Sequence, residues 1–253
     1  MGDGVVVERL LCNEVFLFKG LTEHIERLMR PLPDYIHRDI FDIPFIEADD
    51  IDISGLNNSQ WLINMKNANA SDKHADRKIV HSFCYDDVLY RAFNNPVNFL
   101  HRVAKYNAVA SFDFSMHEGM GFRHILAATY DNRWIGAFLQ ANGKRVIPTV
   151  GWVNEQYDYI CFAGLRNGGV FIISSLGVDN EECAPVFLRG YYKMRTLFPD
   201  SKIICLGNRI NGMDNDILFV PYKESFGNWE QYPGYWQMSL LNTDGTLYFG
   251  GAV

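Results

Sequence analysis

The stretch YNAVASFDFSMHEGMGFRH, residues 106 to 124, sets the carboxylate of Asp113 inside a run that otherwise reads Ala, Val, Ala, Ser, Phe and Phe. A run of that kind is a strand buried on at least one face, where an unpaired charge costs several kcal/mol or shifts its pKa instead. The residue type suits a general base or an anchor for a ligand. Other groups able to do chemistry close the neighbouring apolar runs: Asp86 and Asp87, Ser115, Thr149 and Trp152, Ser174 and Ser175, and Asn208 and Arg209. Arg133, Arg209 or a strand-end hydroxyl are the candidate partners for Asp113, and either arginine could hold an anionic ligand such as a phosphate or carboxylate. Asn132 and Arg133 lie in a helical segment between two of the runs. For each residue taken singly, capping a helix or satisfying a core is as good a reading as function.

These residues share one rim only if their runs are parallel strands, because parallel α/β folds gather reactive groups beyond the carboxyl ends of their strands. The pattern supports that arrangement. Apolar runs occupy residues 78–86, 107–115, 145–153, 168–178, 202–208 and 216–222, and helical segments separate most of them. Asn95-Pro96 marks the start of one helix with Phe99, Leu100, Val103 and Ala104 inward. Ile125, Ile135, Phe138 and Leu139 fit a longer helix ending near Gly143, and a third covers Pro185 to Phe198. Strands apolar on both faces and joined by helical crossovers predict a mostly parallel sheet, either open and doubly wound or curled into a barrel. An incomplete TIM-barrel-like fold is the expectation. The link RINGMDN before the last run is too short for a helical crossover, so strand 216–222 is expected to pair antiparallel.

The first 76 residues differ in character and form an expected N-terminal extension. It holds a short helix after Thr22 and an acidic segment in which Asp39, Asp42, Glu47, Asp49, Asp50 and Asp52 are interrupted by no Lys or Arg. The polar stretch 64–78 reads as a linker or long surface loop, so the α/β domain is expected over 77–253. At its far end, WQMSLLNTDGTLYFGG, residues 236–251, reads as a hairpin.

At 253 residues and 48% hydrophobic, the chain can fill a substantial core. It has no apolar run long enough to span a bilayer, an acidic start where a secretory signal would be basic, and Val at position 6 where myristoylation needs Ser or Thr. A cytoplasmic protein without membrane attachment is expected. The five cysteines are scattered and read as reduced core thiols. A net charge of -7 with no basic patch argues against direct nucleic-acid binding. No cofactor and no metal are expected. GMGFRH, 119–124, departs from a dinucleotide turn at His124, and GNRING, 207–212, continues Met-Asp where a phosphate loop needs Lys-Ser or Lys-Thr. SSLG lacks the first Gly of a nucleophile elbow, and the histidine and cysteine spacings match no common zinc pattern.

SFDFS (111–115), NRW (132–134), Gln140 to Gly143 followed by VIPTVGW (146–152), CFAGL (161–165) and ISSLG (173–177) together resemble domain-of-unknown-function family 4417, found in bacteria and in their phages and plasmids. The resemblance covers roughly residues 78 to 222 and implies a phage or mobile-element context without an established activity. Phe112 stands where Pro is expected in that family. The motifs include Asp113, Ser115, Asn132, Arg133, Thr149, Trp152, Ser174 and Ser175, most of which the strand ends had already singled out. Two function classes follow. One is a small-molecule site with Asp113 as base or anchor, an anionic or phosphorylated ligand, and Trp152 as pocket wall. The other is a non-catalytic protein that binds a partner through segment 39–52 and the aromatic stretch 226–236.

Overall fold

A computed structural model describes residues 30–54, 56, 61–178 and 183–222. The helix expected after Thr22, the hairpin at 236–251 and the stretch 226–236 fall outside them. The described chain is mixed α/β. Its strands are β1 Trp61–Asn64, β2 Lys78–His81, β3 Ala108–Ala110, β4 Val146–Ile147, β5 Val170–Ser174, β6 Lys202–Leu206 and β7 Leu218–Val220. The helices are α1 Asp86–Phe93, α2 Pro96–Val103, α3 Phe122–Ala141, the single turn α4 Asp158–Cys161, and α5 Cys183–Leu197. The second, third and fifth match the expected helices, and Asn95 and Pro96 stand at the N-cap and first position of α2. α1 and the single turn α4 are the two that the apolar spacing did not single out.

Among the described residues every strand pairing is parallel. β1 to β4 form one sheet in chain order and β5 to β7 another. A single parallel bridge, Thr149 to Ile172, joins them, supported by Val150 N–H on the Ile172 carbonyl and Ile172 N–H on that of Pro148, both at 3.0 Å. The four central runs are therefore parallel as expected, but β7 is not antiparallel. The 11 residues between β6 and β7 cross back without a helix. They bind α5 instead: Met213 and Ile217 pack in its apolar layer, the Tyr191 hydroxyl donates to Asp214 at 2.7 Å, and Arg195 pairs with Asp214 and Asp216. A crossover needs length and something to bury, and an irregular one tied to a helix provides both.

Side-chain alternation sorts the apolar residues by face. Val80, Val109 and Val146 point to α1, α2 and α3, whereas Phe171, Ile173, Ile203 and Cys205 point to α5. On the other face, Leu62, Ile79, Ala108, Ile147, Ile172, Ile204 and Val220, one from each strand, join a single cluster. Among the described residues, no helical residue belongs to that cluster.

The acidic segment closes the amino ends of these strands. Ile46 and Ile51 are fully buried, and Ile51 and Leu56 enter the strand-lined cluster. Around them Glu47 meets Arg166, Asp49 meets Arg145 at the start of β4, and Asp50 meets Lys202 at the start of β6, at 3.4, 3.4 and 2.8 Å. Gly169, at φ +69°, leaves room for the backbone of Asp49, which any β-carbon there would strike. The segment expected within the N-terminal extension packs against the α/β body. β1, which also precedes residue 77, is paired with β2. Ile51→Ala is expected to cost about 2–5 kcal/mol in chemical denaturation because it opens a cavity in a filled core. Asp50→Asn, at an exposed ion pair, is expected to cost less than about 1 kcal/mol.

Candidate functional site

The carboxyl ends of β2, β3 and β4 carry a buried polar network. Ser82 Oγ donates to the Ser111 carbonyl at 2.6 Å and accepts the Asp113 N–H at 3.0 Å. Ser111 Oγ accepts the Thr149 N–H at 2.8 Å, and Thr149 Oγ1 returns a bond to the Ser111 carbonyl at 2.5 Å. From α3, Asn132 Nδ2 donates to the carbonyls of Phe112 at 2.7 Å and Thr149 at 3.1 Å, while its Oδ1 accepts from Ser111 Oγ at 2.9 Å. Asp113 is therefore fixed through its own N–H on one side and the preceding carbonyl on the other.

Arg133 does not meet Asp113. Its guanidinium, 2% exposed, donates to the carbonyls of Ala163 at 2.9 Å, Cys161 at 2.8 Å and Thr149 at 3.2 Å, and to Asn132 Oδ1. No carboxylate pairs with it among the described residues, and burial pulls its pKa down to about 10. A fork that satisfies three strand-end and turn carbonyls is a structural clasp, closed to a ligand. Arg209 is spent likewise on the carbonyls of Met213 and Asp214 and lies over the Phe219 ring. Both expected arginine partners of Asp113 are thus overturned: carbonyl acceptors in reach take the guanidinium donors.

The Asp113 side chain itself is half-buried, and among the described residues nothing donates to its carboxylate. Desolvation, with the negative charge of Asp86 added, pushes its pKa up from an ordinary 3.8 to about 7. Asp86, at the first position of α1, accepts from Ser115 N–H at 3.1 Å and Ser115 Oγ at 2.9 Å. Cys84 lies in the same field; burial, with Asp113, Asp87 and Asp86 behind it, raises its thiol to about 12, which removes it as a nucleophile at neutral pH.

The other expected residues disperse. Trp152 packs against Phe162 and Phe187, with its indole over Gly190, where a β-carbon would lie 2.0 Å from the ring. Ser174 caps its own turn by accepting Leu176 N–H at 3.1 Å, and Ser175 Oγ donates to the Asn208 carbonyl at 2.6 Å. The rim thus holds two separate groups, one around Asp113 with Ser115, Asn132, Arg133 and Thr149, and one at the ends of β5 and β6. Strand alternation adds residues that the reading of run ends passed over. Asn64 follows the face of Leu62 and His81 that of Ile79; both are buried, and Asn64 Nδ2 donates to the Phe83 carbonyl at 2.9 Å. Polar residues two positions after inward apolar ones were the available signal. Among the described residues no group of His, Cys, Asp and Glu could hold a metal, and no helix is long and apolar enough to cross a membrane.

The family model of DUF4417, a domain of unknown function, matches residues 37–223, and the chain belongs to this family. It is 29% identical over 160 residues to the Gene 1 protein of Mycobacterium phage L5, covering 62% of this chain and 65% of that protein. It is 26% identical over 157 residues to the Gene 1 protein of Mycobacterium phage D29, covering 62% and 55%. The chain thus spans less than two thirds of either relative. No solved structure matches it.

Removing the clasp has a measurable cost. Arg133→Met is expected to destabilise the fold by about 3 kcal/mol or more, since each stranded carbonyl costs about 1–3 kcal/mol. Arg133→Lys keeps the charge but lacks the fork, and is expected to recover less than half of the loss in a urea titration.

Proposed function

We propose that this phage-type protein carries a small-molecule site at the carboxyl ends of β2, β3 and β4, with Asp113 as its acid–base group or anchor and Asp86 as the neighbouring charge. The observation that carries the reading is the Asp113 carboxylate: held in place through its backbone, half-buried, and left without a donor among the described residues. A group kept in that state near neutral pH can take or give a proton, or receive a donor from a ligand. With Arg133 and Arg209 engaged elsewhere and Asp86 and Asp87 close by in the chain, a neutral or cationic ligand suits the rim better than the anionic one expected from sequence. The supporting scaffold is an incomplete barrel, in which the seven-strand cluster is the interior and the polar strand ends form the mouth. Ser115, Asn132 and Thr149 then serve to position Asp113.

The alternative, a partner-binding protein, has less in its favour. Asp42, Glu47, Asp49 and Asp50 of the acidic segment are engaged in ion pairs within the chain, so that surface is already partly occupied. Neither nucleic acid nor membrane enters the favoured reading.

The pH dependence of Asp113→Asn tests it. Because the folded carboxyl binds its proton more tightly than the unfolded one, Asp113 costs no stability below about pH 4. Its cost grows from there to about pH 7 and is constant above. The melting temperature of the Asn variant is therefore expected to rise relative to the unsubstituted protein across that window and then run level. A constant gap would remove the central observation. Ligand-observed NMR against neutral polyols, amines and phosphates completes the test. Hits are expected among the first two classes and lost in Asp113→Asn, and hits that survive the substitution would place the site elsewhere.

A further inference from the structure

Gly151 lies four residues beyond β4, and its backbone does not call for glycine, since its φ is outside the left-handed region. Apart from its chain neighbours, a β-carbon there would have two atoms within 4 Å: the Met116 methyl at 3.1 Å and Asp113 Oδ1 at 4.0 Å. Packing does not require glycine either, because a flexible methionine tip can give way. Gly164 is the contrast, where a β-carbon would lie 2.5 Å from the Pro44 carbonyl. What the missing side chain leaves at Gly151 is a methyl-sized space beside a carboxylate. Met116 bounds that space, with its sulfur accepting from Thr129 Oγ1 of α3 at 3.8 Å. The carboxylate is reachable. Among the described residues the side-chain oxygens buried without a partner belong to Asn154 and Asp158, so the unbonded oxygens of Asp113 touch solvent.

The charge at this space is of one sign. Asp86 bears on Asp113 and raises its pKa, and no cation among the described residues opposes it. Asp86 is itself fixed by Ser115 N–H and Oγ, while the guanidiniums of Arg133 and Arg209 are held by carbonyls. A cation from outside is therefore favoured over an anion or a neutral body. Its shape is limited as well. An ammonium is compact, close in size to the methyl that Gly151 lacks, and it carries N–H donors. A guanidinium is a wide planar fork, and a trimethylammonium has no N–H to give.

We propose that the Asp113 site takes a primary amine and that Gly151 is the residue that sets this preference. The ammonium enters over Gly151 and donates to Asp113, with Asp86 as a second countercharge and the apolar stem of the amine against Met116. This rests on the reading of Asp113 as a ligand-binding group, and it narrows the ligand from neutral or cationic to a compact cation.

The test titrates the full chain with n-propylamine, an ammonium at neutral pH, and with propylguanidine, trimethylpropylammonium and glycerol, followed by NMR shift mapping. n-Propylamine is expected to bind about tenfold or more tighter than each of the other three, the difference of one charge-assisted contact, and to move the Gly151 amide resonance. Gly151→Ala is expected to weaken it about tenfold or more without lowering the melting temperature, since alanine suits this backbone and restricts the unfolded chain. Asp113→Asn is expected to abolish binding. The proposal is overturned if n-propylamine does not bind up to about 10 mM, an affinity too weak to count as a site. It is overturned equally if propylguanidine or trimethylpropylammonium binds as tightly, or if Gly151→Ala leaves the affinity unchanged. Should that variant fail to fold, a Gly151 amide that stays still when n-propylamine binds the unsubstituted protein overturns it instead. Glycerol separates this inference from the reading beneath it: glycerol bound through Asp113 with n-propylamine unbound removes the amine and keeps the site, whereas n-propylamine binding that survives Asp113→Asn removes both.

Discussion

The seven parallel strands of the described residues are apolar on both faces and must be covered on both, and this requirement organises the elements around them. Outward residues such as Val109 and Ile173 are covered by α1, α2, α3 and α5. The inward set, from Leu62 on β1 to Val220 on β7, is buried to within a few per cent, yet no helix described here contributes to its cluster. The strands cover that face with their own side chains. At its amino end the acidic segment adds Ile51 and Leu56 to the same cluster. Its acidic residues then fall beside Arg145, Lys202 and Arg166 at the strand and loop starts. Burial of the two apolar side chains contributes more here than the exposed ion pairs around them.

The carboxyl end is managed differently, by hydrogen bonds. Where β3 and β4 run out of pairing, the carbonyls of Ser111, Phe112 and Thr149 still need donors. Thr149, Asn132 and Arg133 supply them. The guanidinium reaches on to Cys161 and Ala163, tying the turn after β4 to α3. A buried cation without a counterion is expensive, and four hydrogen bonds to carbonyl and amide oxygens offset part of that cost. Rigidity at this end follows, and with it a fixed place for Asp113.

How much of this could be read from residues alone depends on the kind of signal. Runs apolar on both faces announce parallel strands, and Asn95-Pro96 and Gly143 mark helix ends, so the helical crossovers were legible. The course of β7 was not, since nothing in RINGMDN reveals that Asp214 would be taken by Tyr191 and Arg195 on a helix some 20 residues away. The acidic segment misleads for a similar reason. Its charges dominate the composition, whereas Ile46 and Ile51, spaced between them, decide where it lies. The rim was legible as a set of strand-end polar residues because parallel topology collects them. Their pairing was not, because a side chain as long as Arg133 reaches whichever acceptor the tertiary structure offers, and carbonyls 16 to 30 residues away outcompeted a carboxylate on the neighbouring strand end.

Hydrogen-bond accounting separates the rim residues more sharply than their chemical types do. Ser82, Ser111, Asn132, Arg133 and Thr149 have their bonding capacity used inside the protein, so a ligand contacting them would have to break bonds already made. Ser175 is in the same position with the Asn208 carbonyl. Asp113 differs: its N–H is used, but among the described residues nothing donates to its carboxylate. The network thus does for this residue what a supporting shell does in a built site, fixing the backbone while leaving the reactive atoms unengaged. A purely structural carboxylate at this position would be better served by one of the guanidiniums that the chain directs elsewhere. Arg133 is committed to carbonyls, including that of Thr149 in the same network, while among the described residues nothing donates to the Asp113 carboxylate, and that contrast is what supports the role proposed for it.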